Sequence, residues 1–189
     1  MAEINLRDYL ARLESLVSSG EYTQVVHHCR HILQYFPRHA DTYRLLGRAL
    51  LDNNKWQEAA EVFNRLQSVS PSDYTAHVSL AEISNQLKRP DEAIWHLERA
   101  FEQQSNNQTL MDNLRDLYRR HRRQEFNRVQ LTAGAAARQY IRNGLFEQAI
   151  RVLQEALQQT PERVDLRLLL AQTYREAGYY VEAGETSLD

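Results

Sequence analysis

The sequence predicts an all-α protein, an α-solenoid of stacked antiparallel helix pairs. Three observations predict it. Apolar residues recur at helical spacing, as in Leu6, Leu10, Leu13, Leu16 and Val17, then Val25, Val26, Cys29, Ile32 and Leu33. No stretch alternates apolar and polar residues as a half-buried strand does. The third observation decides the architecture: the pattern repeats every 34 residues. Pro37, Pro71 and Ser105 keep that step, as do Val25, Ala59 and Ala93. Cys29, Phe63 and Leu97 keep it too, with Ile32, Leu66 and Ala100 beside them and Leu13, Gly47 and Ala81 in the preceding helix.

Each repeat reads as two amphipathic helices. The stretches "SSGEY", "FPRHAD" and "SPSDY" are turns between them, rich in residues that end helices. One such pair cannot bury its apolar face alone. Stacking pairs builds a continuous core, with small residues where helices approach most closely. A second stretch keeps the same period in a shifted register, through Ala137 and Ala171, Tyr140 and Tyr174, Gly144 and Gly178, and Ala149 and Ala183.

The clearest copy is "ADTYRLLGRALLDNNKWQEAAEVFNRLQSVSP", residues 40–71, carrying Tyr43, Leu46, Gly47, Leu50, Ala59, Phe63, Leu66 and Pro71. "GLFEQAIRVLQEALQQTP", residues 144–161, is an equally clear half-repeat. On these residues the chain resembles the tetratricopeptide repeat family over nearly its whole length. The resemblance implies a right-handed superhelix whose first helices line a concave, peptide-binding groove.

Three segments follow. Residues 5–107 form three tetratricopeptide-like repeats, 108–129 an atypical single helix plus connector, and 130–189 one further repeat and an incomplete terminal one. Gly144 lies 56 residues after its counterpart Lys88, which sets a register break near 108–130. "QTLMDNLRDLYRRH", 108–121, is a first helix without its partner, and "RRQEFNR", 122–128, is an irregular connector. The chain's last residues, "AGYYVEAGETSLD", stop where another second helix should begin. The helix near 164–177 is therefore expected to lack a full neighbour, with Leu166, Leu169 and Leu170 forming an uncapped end. Such an end fits a chain cut short or one completed by another chain.

Composition narrows the function. Net charge is −2 over 189 residues, so the whole molecule does not act as a polyanion magnet. A single cysteine excludes an internal disulfide and suits a reducing compartment, and no run approaches the length that spans a bilayer. A cytoplasmic protein without membrane contact is expected. No phosphate loop, zinc-protease motif or nucleophile elbow occurs, so no enzyme, catalytic residue or cofactor is expected.

Two clusters resemble sites. "VVHHCRHIL", residues 25–33, sets three histidines beside Cys29. Cys29 shares its repeat position with Phe63 and Leu97, so it points into the core, about 200° around the helix from His27. His27 and His31 supply two ligands, fewer than a tight metal site needs; no metal is expected. "RDLYRRHRRQEFNR", 115–128, gathers Arg115, Arg119, Arg120, Arg122, Arg123 and Arg128 against Asp116 and Glu125. A solvated helix end explains it, since arginines suit the C-terminal end of a helix dipole. Tyr118 falls at core spacing.

The function read here is a non-catalytic scaffold that binds a partner segment. The groove residues implied by the resemblance are Arg44, Arg48, Glu82, Asn85, Asp116, Arg119, Arg138, Arg142 and Arg175. Arginines outnumber acids among them, so an acidic protein or peptide is expected. The family's carboxylate clamp is not, because Leu10 and Glu14 stand where it uses Lys and Asn. The alternatives are a homo-oligomer formed through terminal helices and a nucleic-acid accessory protein using the arginine run 115–128.

Overall fold

The computed structural model of the chain describes residues 5–121 and 131–188. Among them every regular element is an α-helix: α1 (Leu6–Ser18), α2 (Tyr22–Tyr35), α3 (Ala40–Asp52), α4 (Trp56–Val69), α5 (Tyr74–Gln86), α6 (Pro90–Gln103), α7 (Gln108–His121), α8 (Ala133–Arg142), α9 (Phe146–Gln159), α10 (Val164–Ala177) and α11 (Tyr180–Leu188). This is an α-solenoid of helix pairs. The chain forms two compact units, Met1–Lys88 and Arg89–Asp189, divided within the stretch 5–107 at the turn between α5 and α6.

The period has a backbone signature. Gly20, Asn54, Lys88, Gly144 and Gly178 all have φ between 58° and 87°. Each ends the first helix of a pair. At Gly20, Asn54, Gly144 and Gly178 the next N–H turns back to a carbonyl five residues earlier, as in Lys55 N to Leu50 O, 2.8 Å, and Tyr179 N to Tyr174 O, 2.8 Å. The left-handed residue thus closes the helix and satisfies its orphan carbonyls. Asn tolerates this conformation; Lys88 bears the Cβ penalty that glycine avoids.

In the first unit the core runs through all five helices. Val25, Cys29, Ala59, Phe63 and Leu66 are fully buried or nearly so, at the periodic positions. α3 sits between α2 and α4, and at Gly47 it meets the ring of Phe63 on α4. A Cβ there would lie 2.5–2.8 Å from ring carbons of Phe63. The glycine is required by contact, not by a turn.

In the second unit α6 packs against both α7 and α8. α8 fits because its inner face is Gly134, Ala135 and Ala137. The connector expected at 122–128 lies outside the described residues. Beyond α8, a compact core joins Ala137, Ala149 and Leu153 to Leu166, Leu169 and Leu170. The expectation about these three leucines is corrected: they do not form an open end, because they face back onto α8 and α9. The chain also goes on after the turn at Gly178 into α11.

Gly47→Ala should lower stability by about 1–3 kcal/mol, because the added methyl overpacks a buried ring. Urea denaturation measures it. Combining the change with Phe63→Leu should recover part of the loss; a simple sum of two losses would mean that the two sites do not touch.

Candidate functional site

The charged residues of the first helices differ sharply in freedom. Arg44 on α3 is engaged: its Nε and Nη2 donate to Asp73 Oδ2 at 2.9 and 2.5 Å, and its Nη1 to Asp41. Asp73 is buried and also caps α5, accepting from Ala76 N at 2.9 Å. The hydrogen bond to Asp73 raises the Arg44 pKa despite partial burial. Arg48, one turn on, stays exposed with Asp52 3.8 Å away. Glu82 and Asn85 are exposed on α5.

In the second unit Asp116, Arg119, Arg142 and Arg175 are exposed. Asp116 lies 3.7 Å from Arg119 and 4.0 Å from Arg120, and Arg115 pairs with Asp112 at 3.1 Å. The described part of the arginine run is therefore partly neutralised on its own helix, and Tyr118 is buried there, its hydroxyl donating to Glu98 at 2.5 Å. Arg122, Arg123 and Arg128 lie outside the described residues.

Arg138 belongs to a different setting. It is half-buried on α8, its Nε is buried without a hydrogen-bond partner among the described residues, and desolvation lowers its pKa. Nearby stands a cluster that sequence reasoning missed. Glu102, 1% exposed on α6, pairs with Arg99 at 2.9 Å and with Arg163 at 2.8 Å. Arg163 also grips Asp165, its Nε and Nη2 donating at 2.8 and 2.6 Å. Desolvation opposes the charge on Arg163, but the bonds to Asp165 and Glu102 prevail and its pKa rises. Arg99, more deeply desolvated, has its pKa lowered and stacks 5.3 Å over the Trp95 ring. Gly134 is what admits this carboxylate, since a Cβ there would overlap it. A signal existed in the sequence. Arg163 stands where His39 and Asp73 cap the earlier first helices, and an arginine cannot accept the capping bond.

The comparisons with known proteins bear on this architecture. A tetratricopeptide repeat model matches residues 10–71 and 44–108, and a second such model matches 140–186. The chain belongs to the tetratricopeptide repeat family. Among solved structures, the MamA RS-1 ArsTM double mutant is 14% identical, aligned over 99% of this chain and 93% of its own, with a TM-score of 0.54. MamA 41-end from Desulfovibrio magneticus RS-1 is 15% identical over 96% and 90%, with a TM-score of 0.53. A kinesin light chain with TPR-like repeats from Podosopora anserina is 20% identical over 96% and 90%, with a TM-score of 0.50. At these identities the likeness is one of fold. No curated protein matches the chain.

In this tetratricopeptide array the histidine cluster falls into place. Cys29 is fully buried, and burial pushes its thiol up to about 12. His27 and His31 are exposed, while His28 lies 2.8 Å from the Tyr9 hydroxyl. Between α2 and α4 runs a trough the sequence did not announce. Its larger part, about 500 Å³, lies over Tyr43, Leu46 and Leu50 of α3 and is walled by Leu33 and Val62. Arg30 and Glu58 form a 2.9 Å ion pair at its middle, where a smaller hollow of about 270 Å³ continues toward Thr23 and Lys55. A third cavity, about 300 Å³, lies between α10 and α11 and takes in Arg175.

Glu102→Ala should cost about 3 kcal/mol, since it leaves the buried Arg99 with only Glu98, 3.5 Å away, and Arg163 with Asp165 alone. Thermal and urea unfolding would measure it, and a loss below about 1 kcal/mol would mean that the arginines reach water instead. Cys29 should react with a thiol reagent about a hundredfold more slowly in the folded protein than in denaturant. Its pKa is raised on folding, so the folded state keeps a proton the unfolded chain loses. Stability should therefore decline from pH about 9 toward about 12, and Cys29→Ala should flatten that part of the profile.

Proposed function

We propose that the chain is a non-catalytic scaffold that holds an acidic segment of a partner protein on the first-helix faces of its repeats. A tetratricopeptide array is a protein-interaction fold. Its stacked helices hold side chains in place before binding, which lowers the entropic cost of capture. The observation that carries the choice of partner is the sign of the charge left exposed. Arg48, Arg119, Arg142 and Arg175 remain at the surface, whereas Arg44 is engaged by Asp73 and Asp41. Among the expected groove residues the exposed acids are Glu82 and Asp116, and Asp116 is shared with Arg119 and Arg120. Cytoplasmic residence fits this reading, and among the described residues no helix is long and apolar enough to cross a membrane.

Within this reading Arg44 and Arg138 act as supports, not as contacts. Arg48 and Asn85 would meet the partner in the first unit, and Arg142 and Arg175 in the second. Such exposed charges set association rate and partner choice more than final affinity.

A fluorescently labelled Asp/Glu-rich peptide should bind with an affinity that falls as salt is raised from 50 to 200 mM. Arg48→Glu and Arg142→Glu should each weaken it by about tenfold, a loss near 1.4 kcal/mol. A Lys-rich peptide of equal length should not bind. Equal binding of both peptides, or indifference to the substitutions, would remove the acidic-partner reading.

A further inference from the structure

The trough between α2 and α4 lies wholly within the first unit. Its floor is Tyr43, Leu46 and Leu50 of α3, and Leu33 and Val62 stand on its walls. Arg48 lies about 160° around α3 from Leu50. The trough is therefore a different surface from the arginine face, and none of its lining residues serves the acidic-segment reading.

The turn at one end of the trough breaks the repeat. Pro37 lines the trough, and Tyr35 and Phe36, just before it, are 68% and 54% exposed. Phe36 is the C-cap of α2, whereas Ser70, Gln104 and Thr160 stand at the C-caps of α4, α6 and α9. The repeat does not need a ring at this position, since three other second helices end without one. The turn that carries the rings is held in place. The Tyr43 hydroxyl donates to Pro37 O at 3.0 Å, and His39 N donates to Phe36 O at 3.1 Å. Two exposed rings fixed beside an apolar trough form a contact surface prepared before binding.

The walls say what would fit. In the larger part Arg30 and Arg65 stand against Glu58 and Glu61, so the lining carries no net charge. Together with Gln34 they offer hydrogen-bond donors and acceptors above an apolar floor. A polypeptide backbone carries both kinds of group, whereas an acidic or a basic segment would meet like charge along with unlike. The Arg30–Glu58 pair, at 2.9 Å, joins the two walls at the middle of the trough. A helix, about 10 Å across, cannot enter without parting it. An extended chain needs only about 5 Å of width. The wall from Glu58 to Arg65 is about 10 Å long, the rise of about three extended residues.

We propose that the larger part of this trough, with Tyr35 and Phe36 beside it, is a docking site for an extended, uncharged apolar segment of a partner protein. About three residues of that segment lie between the walls. Their apolar side chains rest on Leu46 and Leu50, their backbone bonds to Gln34 and Arg65, and the next residue packs on Phe36. The site uses apolar burial where the arginine face uses charge.

Fluorescence anisotropy with the full chain tests it. The probe is the peptide GLPLPLG, amidated at its C-terminus and carrying a neutral dye at its N-terminus, which proline keeps extended and which bears no charge. It should bind saturably below about 1 mM, with the same affinity at about 50 and about 200 mM salt. GSPSPSG, equally extended, should bind at least about tenfold more weakly. Phe36→Ser gives α2 the C-cap residue of α4 and should weaken GLPLPLG by about threefold. Val62→Arg, on the wall, should weaken it by about tenfold, with an unchanged melting curve as the control for folding. Should Val62→Arg unfold the protein, Phe36→Ser at its exposed position still decides. Four results would overturn the proposal. They are no binding up to about 1 mM, equal binding of GSPSPSG, indifference to the substitutions, and displacement of the probe by the Asp/Glu-rich peptide. A concentration-dependent dimer in sedimentation that Phe36→Ser dissolves would also overturn it, by making a second copy the occupant. Arg48→Glu and Arg142→Glu should leave GLPLPLG binding untouched, so this proposal and the acidic-segment reading fail separately.

Discussion

A pair of amphipathic helices has one apolar side too many, and everything in this protein follows from that constraint. Burying the second side requires another pair, so each turn of the array is both supported by its neighbour and a support for the next. The interface tolerates little bulk at its narrowest points. Gly47 meets the ring of Phe63, and Gly134 meets the carboxylate of Glu102. These are the same device at two places, a missing side chain that lets the neighbouring helix close in. What fills the gap differs, and that difference separates an ordinary interface from the unusual one.

The unusual interface surrounds the register break. α6 supports both α7 and α8, and α8 approaches it over a buried acid instead of a ring. Glu102 cannot stay charged in that place without partners, and Arg99 and Arg163 supply them. Arg163 sits in the turn between α9 and α10, 61 residues away along the chain. The ion cluster therefore ties the helix before the break to the turn beyond it. Such networks add little net stability over an apolar core, but they punish any arrangement that parts α6 from the turn before α10, because Glu102 and Arg163 would each lose a buried partner. Specificity of register is what a break in a repeating pattern most needs. A purely apolar face could slide by one turn at small cost.

Function in such an array lies where the stacking constraint leaves residues over. On α3, Arg44 is absorbed into holding α5, while Arg48, one turn on, stays exposed beside Asp52. Arg138 is held near the ion cluster, while Arg142 on the same helix is exposed. Sequence spacing treats each pair as equivalent, and packing separates them. On α10 and α11, Leu168, Tyr180 and Val181 are exposed apolar residues.

The sequence by itself determined the helices, their pairing and the break. The period of 34 does this because each position repeats its neighbours, so Cys29 can be placed in the core from Phe63 and Leu97 alone. It also placed His27 and His31 outward, by the 100° advance of each helical residue. Local rules reach as far as one repeat and its copies. What they cannot reach is any contact without a periodic counterpart. Glu102 and Arg163 meet only because the break brings α8 onto α6, and no spacing encodes that distance. The direction in which Leu166, Leu169 and Leu170 face belongs here too. Periodicity shows that they are buried, but whether they close the pair behind or open toward the next depends on which neighbour exists. Only the tertiary structure decides that, because burial is a property of two surfaces and the sequence displays one at a time.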